Sequence, residues 1–322
     1  MIVTLTPNPA LDVAAVADEV QAFHKIRCRS ERSDAGGGGV NVARFVHALG
    51  VPVTAVLTAG GTTGVRVVEL LDAAGVPATI VPIDGTTRES FTIDDAATGR
   101  QFRFVLPGPR ITRSEQEQCL DALREVAVSA QYVVASGSLP PGVPPDFCQR
   151  VADVCEQLGV RLILDTSGSG LSHVSSGVFL LKPSLRELRD CMRRPLETEA
   201  EQLAAAHELI DHGVAESVVV SCGARGALLA GPGISESFAA PAVRSVNGVG
   251  AGDAMVAGIV VGLARGARLR EAVGYGVAAA AAKLHTPGTS AFDRADVDQF
   301  FHARSYSSVC LPGAWSGDRM IR

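Results

Sequence analysis

The feature that most restricts the fold of this chain is an alternation that runs from about residue 110 onward. Short segments rich in Val, Ile and Leu alternate there with longer segments of helical apolar spacing. This alternation is typical of βα units arranged around a mostly parallel sheet. It predicts a layered α/β sandwich, with strands at residues 132–136, 161–165, 178–182 and 217–221.

Helices are predicted beside these strands from apolar spacing and from end signals. One begins at the Ser-Glu-Gln-Glu run of residues 114–117, a second covers 146–158, and a third covers 199–212. The third stops before Gly213, a residue suited to the left-handed conformation that commonly ends a helix.

Two stretches, residues 12–35 and 88–106, interrupt the alternation. In the second stretch apolar and polar positions alternate on both sides of a turn at residues 94–99. Alternation with period two around a turn predicts a β-hairpin. The apolar positions of this hairpin are Phe91, Ile93, Phe102, Phe104 and Leu106.

These interruptions define the expected domain organisation. We expect both stretches to form one small sheet that acts as a lid. A small sheet with one apolar face cannot stay exposed in a monomer, so we also expect two lids to pair in a homodimer. The last residues lack periodicity and are expected to form a disordered tail. The division is a core of residues 1–11, 36–87 and 107–303, a lid of residues 12–35 and 88–106, and a tail of residues 304–322.

The composition excludes several classes of protein. A chain that is 47% hydrophobic and 20% charged is typical of a globular protein and not of a disordered one. A net charge of −5 gives no basic surface for nucleic acid or for an anionic membrane. The seven cysteines form no CxxC pair, and the first residues lack the basic and apolar segments of a secretion signal, so none is expected. No apolar run reaches the ~20 residues of a membrane span. We therefore expect a cytoplasmic protein with reduced thiols.

The clearest chemical signal is the sequence Asn-Gly-Val-Gly-Ala-Gly-Asp at residues 247–253, which leads into an apolar helix at 254–264. A turn of small residues at a helix N-terminus directs backbone N–H groups at one spot and suits a phosphate. A carboxylate at such a spot repels phosphate. Its presence is explained if Asp253 takes a proton from a hydroxyl that attacks the phosphate. The helix N-terminus should also lower the pKa of Asp253. The alternative is that Asp253 caps the helix.

The second signal is the four-glycine run 36–39, followed by Asn41 at the start of a helix that closes at Gly50. Consecutive glycines let the backbone approach a ligand closely, and an amide can donate and accept hydrogen bonds, so a sugar would fit. The alternative is a flexible loop. A dinucleotide-binding turn is disfavoured, because the glycines follow the polar run 29–34 instead of a buried strand.

Together the two motifs resemble those of the ribokinase-like carbohydrate kinases of the phosphofructokinase B type. The resemblance covers about residues 2–302, including matches to the phosphosugar branch at 4–12, 99–108 and 136–142. It implies a three-layer α/β/α sandwich with a mostly parallel central sheet and a small β-sheet lid. The all-glycine run is similar to that of the 6-phosphofructokinases, whereas 1-phosphofructokinases and tagatose-6-phosphate kinases typically carry Lys where Gly38 stands.

The resemblance implies transfer of the γ-phosphoryl group of ATP to the 1-hydroxyl of fructose 6-phosphate, with Mg²⁺. Asp253 would be the base, and the N–H groups of Gly250, Ala251 and Gly252 would stabilise charge on the transferred group. The residues implied to hold sugar hydroxyls are Asp12, Gly37, Gly38 and Asn41. Those implied to hold the sugar phosphate are Lys25, Arg27, Arg88, Arg103 and Ser138.

On the nucleotide side, the resemblance implies that Glu187 organises Mg²⁺, often through water. Ser184 stands where the family has Asn. The polar contact that this Asn usually makes is therefore not implied for this chain. The residues implied to border the nucleotide are Lys182, Ser184, Ser221, Gly223 and Gly226. Those implied to bind a monovalent cation such as K⁺ are Asn247, Val249, Gly288 and Ser290.

Other functions stay open at this point. The same fold could use fructose 1-phosphate, tagatose 6-phosphate or an unphosphorylated sugar as the acceptor. A non-catalytic nucleotide- or sugar-binding regulator is disfavoured, because a pure binder needs no base beside a phosphate site. An NAD-dependent oxidoreductase is disfavoured as well, because no glycine-rich turn follows a strand with an acidic residue about 20 positions later.

Overall fold

The computed structural model describes residues 1–243 and 248–303. Its strands are β1 (Ile2–Thr6), β2 (Ala10–Ala17), β3 (Cys28–Gly36), β4 (Val53–Ala59), β5 (Ala78–Pro82), β6 (Arg88–Asp95), β7 (Gln101–Val105), β8 (Tyr132–Ser136), β9 (Arg161–Asp165), β10 (Val178–Leu181), β11 (Ala215–Ser221), β12 (Ala227–Gly231) and β13 (Ile234–Phe238). Its α-helices are α1 (Gly38–Ala48), α2 (Gly61–Ala73), α3 (Arg113–Ala127), α4 (Phe147–Leu158), α5 (Ser169–Ser172), α6 (Leu185–Met192), α7 (Glu199–Asp211), α8 (Ala251–Ala264), α9 (Leu269–Lys283) and α10 (Arg294–Ala303).

The larger sheet has nine described strands in the order β13-β12-β11-β10-β9-β8-β1-β4-β5. All neighbouring strands from β11 through to β5 in this order pair in parallel. At the other end of the sheet, β12 pairs antiparallel with β11, and β13 pairs antiparallel with β12. Strands β1 and β8 are buried along their whole length, as expected for strands covered on both faces. Because parallel strands end at the same edge, the carboxyl ends of β1 and β8 to β11 lie together.

The predicted layered sandwich is confirmed, and the predicted strands are present. Strands β8 and β9 have the predicted bounds. Strand β10 ends at Leu181, one residue before the predicted end, and β11 begins at Ala215, two residues before the predicted start. The sheet is covered by one helical layer containing α1, α8 and α9, and by another containing α3, α4 and α7.

The predicted helices are also present, with differences at their ends. Helix α3 begins at Arg113 and is capped by Thr112, while α4 and α7 are each one residue shorter than predicted. The largest difference is in α8, which begins at Ala251, three residues before the predicted start. Gly250 is the N-cap residue of α8, and no side chain among the described residues caps this helix. The alternative that Asp253 is only a cap is therefore wrong.

The close approach of α8 to α9 depends on glycine. A Cβ at Gly258 would lie 2.7 Å from Cα of Gly276 on the facing helix, and a Cβ at Gly262 would lie 2.9 Å from Cα of Ala272. Both helices are almost entirely buried, so neither shows an amphipathic pattern. Their packing fixes the position of the N-terminus of α8 against the carboxyl edge of the sheet.

The smaller sheet has the described order β3-β2-β6-β7. The predicted hairpin is confirmed, because β6 and β7 pair antiparallel with Ile93 opposite Phe102. Strand β2 begins at Ala10 and β3 ends at Gly36, so the first part of the sheet extends slightly beyond the predicted range 12–35. The function of this sheet as a lid, and the pairing of two such sheets, stay predictions.

Two expectations concern parts of the chain outside the described residues. The predicted tail, residues 304–322, is one, and Asn247 of the predicted cation site is the other. Among residues 1–243 and 248–303, none of the helices combines the length and the apolar character needed to span a membrane.

Candidate active site

The two glycine-rich motifs of the sequence meet in the structure. Asn41, in α1, donates a hydrogen bond from Nδ2 to Oδ2 of Asp253 at 2.9 Å, although the two residues are 212 positions apart in the chain. Asp253 lies in the first turn of α8, where backbone N–H groups have no acceptor within the helix. A carboxylate, an amide and a helix N-terminus therefore share one site.

Burial raises the pKa of Asp253 to about 7, and the neighbouring carboxylate of Asp165 adds to the shift. The hydrogen bond from Asn41 and the charge of Lys182 act in the opposite direction without cancelling it. The prediction that the helix N-terminus lowers this pKa is wrong, because desolvation outweighs the helix dipole. A carboxylate with a pKa near neutrality is well matched to accept a proton at physiological pH.

A buried ion pair lies beside this carboxylate. Lys182 Nζ is 3.1 Å from Oδ1 of Asp165, which ends β9, while Lys182 directly follows β10. Burial alone would lower the pKa of Lys182, but the surrounding carboxylates, above all Asp165, raise it overall. A Cβ at Gly252 would lie 3.8 Å from Lys182 Nζ, so the ammonium group faces the turn at the start of α8. Sequence analysis missed Asp165, whose only signal is a charge at the end of an apolar strand.

The turn before α8 has the geometry of an anion site. Gly250 adopts a left-handed conformation with φ 78°, and Ala251 and Gly252 begin the helix. Within residues 1–243 and 248–303, the N–H group of Ala251 makes only a long 3.5 Å contact with the carbonyl of Gly248. These N–H groups lie at the positive end of the helix dipole, beside Lys182, and suit a phosphoryl group.

The glycine run leaves room for Asp12. A Cβ at Gly36 would fall 2.2 Å from Oδ2 of Asp12, and one at Gly38 would fall 2.3 Å from Oγ of Ser136. Gly37 has φ +102°, a conformation that other residues rarely adopt. Burial raises the pKa of Asp12 to about 6, although the charges of Arg103 and Arg88 lower it.

The structure separates the predicted phosphate-binding cations into two groups. Arg103 lines a recess together with Asp12. The Arg88 guanidinium donates hydrogen bonds to the carbonyls of Leu106 and Asn8 at 2.9 and 3.1 Å, so it joins the smaller sheet to the core. Ser138 is close by, because Nδ2 of Asn8 donates to its Oγ at 3.3 Å. Lys25 and Arg27 are exposed in the connection between β2 and β3, and no contact within the described residues joins them to this group.

A cleft of about 610 Å³ continues from the other side of the anion site. The predicted nucleotide residues Ser221, Gly223 and Gly226 line it. Ala251 and Gly252 belong to the same lining, and apolar residues of α8 and α9 form another part of it. The cleft therefore reaches the N-terminus of α8.

Ser184 and Glu187 form a capping box at the start of α6. The Glu187 N–H donates to Ser184 Oγ at 3.2 Å, and the Ser184 N–H donates to Glu187 Oε2 at 2.7 Å. Ser184, which replaces the family Asn, is thus the N-cap of α6. This cap was not predicted, although the spacing Ser-x-x-Glu is its usual signature. In the part of the chain that the structure describes, no three His, Cys, Asp or Glu side chains converge as a metal site. A single carboxylate with nucleotide phosphates is nevertheless a common arrangement for Mg²⁺.

The predicted monovalent-cation site contains a residue that sequence analysis missed. Gly288 and Val249 line the same recess, but the carbonyl of Gly288 accepts a hydrogen bond from Nζ of Lys283 at 2.8 Å. The Ser290 carbonyl accepts one from Thr286 Oγ1 at 3.2 Å. Two carbonyl oxygens of the predicted cation site are therefore already engaged by side chains of the protein, one of them by an ammonium group. The signal for Lys283 is a lysine directly after the alanine run of a buried helix.

These features fit one class of protein, the sugar kinases with a ribokinase-like fold. A carboxylate with a raised pKa lies at a helix N-terminus, close to a cleft lined by Ser221 and Gly223 and to a recess lined by Asp12 and Arg103. The profile of the pfkB family carbohydrate kinases matches residues 10–295. The chain belongs to this family.

Similar proteins include the ATP-dependent 6-phosphofructokinase isozyme 2 of Mycobacterium tuberculosis, which is 59% identical over 93% of this chain and 88% of its own length. The crystal structure of Escherichia coli phosphofructokinase-2 in complex with potassium has a TM-score of 0.89 and 36% identity, over 94% of this chain and 98% of that one. The 1-phosphofructokinase of Borreliella burgdorferi is 32% identical over 88% of this chain and 91% of its own length.

Proposed function

We propose that this protein transfers the γ-phosphoryl group of ATP to the 1-hydroxyl of fructose 6-phosphate and so forms fructose 1,6-bisphosphate. The observation that carries this proposal is the position of Asp253, hydrogen-bonded to Asn41 at the N-terminus of α8. The first turn of α8, which carries Asp253, borders the cleft lined by Ser221, Gly223 and Gly226. Asp12 and Arg103 line a narrow recess that also includes Val249, just before the same turn. Two similar proteins that are named ATP-dependent 6-phosphofructokinase isozyme 2 support the same acceptor.

In this reaction Asp253 accepts the proton of the attacking hydroxyl while the oxygen bonds to the γ-phosphorus. The hydrogen bond from Asn41 holds the carboxylate in position. The N–H groups of Gly250, Ala251 and Gly252 and the ammonium of Lys182 stabilise negative charge on the transferred group. The proton therefore moves to Asp253 and the electron pair of the breaking bond moves to the β-phosphate of the nucleotide.

ATP would occupy the cleft lined by Ser221, Gly223 and Gly226, with its γ-phosphate at the start of α8. Glu187 would hold Mg²⁺ through water while it keeps its hydrogen bond to Ser184. When bound, Mg²⁺ neutralises phosphate charge that this acidic chain meets with few cations of its own.

Asp12 and Asn41, with the backbone of Gly37 and Gly38, would hold the sugar hydroxyls. Arg103 is the better placed cation for the sugar phosphate, because the guanidinium of Arg88 is engaged by backbone carbonyls. The roles proposed for Lys25 and Arg27 require the connection between β2 and β3 to move toward the recess or to meet the recess of a second copy.

The second candidate acceptor is fructose 1-phosphate, which relatives named 1-phosphofructokinase favour. The geometry around Gly38 argues against it. A side chain at this position would meet Oγ of Ser136 at 2.3 Å, so the local backbone is fitted to glycine and not to the lysine typical of that branch.

An acceptor panel tests the proposal. With ATP and Mg²⁺, coupled detection of ADP should give the highest kcat/KM for fructose 6-phosphate among fructose 6-phosphate, fructose 1-phosphate, tagatose 6-phosphate and fructose. In Arg103→Ala the KM for fructose 6-phosphate should rise by about tenfold or more, since a charge-assisted hydrogen bond is lost. Arg100→Ala, an exposed change in the turn that joins β6 to β7, is the matched control and should leave this KM unchanged. Preference for another acceptor would overturn the proposal.

The homodimer is part of the same proposal. Exposed apolar residues support it: Phe104, Val105 and Leu106 are 55%, 57% and 46% exposed on or next to the edge strand β7. Light scattering should give twice the chain mass at micromolar concentration, and a monomer would contradict this part.

A further inference from the structure

Lys283 brings a second buried positive charge to the active site. It is the last residue of α9 and is 0% exposed. A Cβ at Gly250 would lie 3.4 Å from Cε of Lys283, so this side chain passes directly behind the turn that starts α8. Arg32, Asp34, Arg44 and Asp253 are its charged neighbours. An ammonium group is therefore held against the anion site from inside the protein.

The partners of this ammonium are neutral oxygen atoms. Nζ donates to Oγ1 of Thr286 at 2.7 Å and to the carbonyl of Gly288 at 2.8 Å. Among the ion pairs of the described residues, none joins Lys283 to a carboxylate within 4.0 Å. A buried charge normally requires a counter-ion. Oxygen dipoles that replace hydration are instead typical of a site for a monovalent cation.

The loop that follows α9 is organised around this group. Oγ1 of Thr286, besides accepting from Lys283, lies 3.0 Å from the carbonyl of Lys283 and 3.2 Å from that of Ser290. Gly288 and Ser290, to which the family resemblance assigned a monovalent cation, therefore face Lys283 and Thr286. A second cation among these oxygens would be repelled by the ammonium at short range.

We propose that the ammonium of Lys283 is a built-in replacement for the monovalent cation, so that this protein needs no K⁺ behind its anion site. The ammonium group holds the loop 286–290 and the turn at Gly250 in place. It also adds to the positive electrostatic potential at the transferred phosphoryl group. Lys283 does not touch substrate and is a positioning residue. The related Escherichia coli protein forms a complex with potassium, so the proposal predicts a difference between the two.

The test compares the wild type, Lys283→Ala and Lys283→Met in KCl, NH₄Cl, LiCl and choline chloride at equal ionic strength. The alanine variant opens space for a cation, whereas methionine fills the space without a charge. Wild-type turnover with fructose 6-phosphate should differ by less than about twofold between KCl and choline chloride. Lys283→Ala should lose about tenfold or more in choline chloride. K⁺ or NH₄⁺ should restore it and Li⁺ should not. Lys283→Met should not respond to any of these ions.

Thermal unfolding gives a readout that does not depend on activity. KCl should raise the unfolding temperature of Lys283→Ala above its value in choline chloride, and it should leave that of the wild type unchanged. The activity readout rests on the proposed function, but the thermal readout stands even if fructose 6-phosphate is not the acceptor. Specific stabilisation or activation of the wild type by K⁺ would overturn the proposal, even if the alanine variant fails to fold. Full activity of Lys283→Ala in choline chloride, or lack of rescue by K⁺ and NH₄⁺, would overturn it as well.

Discussion

Two buried lysines lie on either side of the N-terminus of α8, although lysine occurs only three times in the chain. Lys182 pairs with the carboxylate of Asp165 at 3.1 Å, whereas Lys283 donates to the neutral oxygens of Thr286 and Gly288. The pKa of Lys182 is raised, and that of Lys283 is lowered to about 8. Burial lowers the pKa of both lysines, so the charge of the partner decides whether the pKa is raised or lowered overall. Lys182 belongs to an ion pair, whereas the ammonium group of Lys283 is held by two neutral oxygen atoms.

The largest effect on stability is expected from Lys182→Met. The change leaves the buried carboxylate of Asp165 without its partner, and loss of one member of a buried pair costs about 3–5 kcal/mol. Urea unfolding should show this loss. The double variant Lys182→Met/Asp165→Asn is the matched control and should recover part of it, because no unpaired charge remains.

Lys283→Met should cost less than Lys182→Met, because it leaves only neutral acceptors without a donor, at about 1–3 kcal/mol. If Lys182→Met costs less than Lys283→Met, the contrast drawn between the two lysines is wrong.

A smaller effect is expected from pH. The pKa of Lys283 is about 8 in the folded protein, because of burial first and then the charge of Arg32. In the unfolded chain it is about 10.4, so between these values the unfolded state binds more protons. The free energy of unfolding of the wild type, relative to Lys283→Met, should therefore rise from about pH 8 to about pH 9.5. A lysine with a raised pKa, such as Lys182, leaves the free energy of unfolding nearly constant over this range and lowers it only above about pH 10.4. A flat or falling profile between about pH 8 and about pH 9.5 would therefore contradict the assignment.

Much of the fold could be predicted from the sequence, because β8, β9 and the hairpin of β6 and β7 have patterns that depend on local periodicity. The same holds for the anion-binding turn, which needs only small residues before an apolar helix. The contact between Asn41 and Asp253 could not be predicted from spacing, because it joins elements 212 residues apart.

The sign of the pKa shift of Asp253 depends on burial, which no local pattern reveals. A helix N-terminus alone lowers the pKa of a carboxylate, but desolvation of this site raises it to about 7. Lys283 was not among the predicted site residues for a related reason. A lysine after an alanine run is usually solvated, and only the packing of α9 against α8 shows that this one is buried. The cap formed by Ser184 and Glu187 was not predicted either, but here the Ser-x-x-Glu spacing is a local signal that could have revealed it.

The central claim is that Asp253 is the base of a phosphoryl transfer, and single-turnover kinetics of Asp253→Asn tests it most directly. Asparagine keeps the shape of the side chain but cannot accept the proton, so the rate of transfer to fructose 6-phosphate should fall by about 10²–10⁴-fold. Calorimetry should show ATP binding close to that of the wild type, because the cleft lined by Ser221 and Gly223 is untouched. Near-normal transfer by Asp253→Asn would contradict the account.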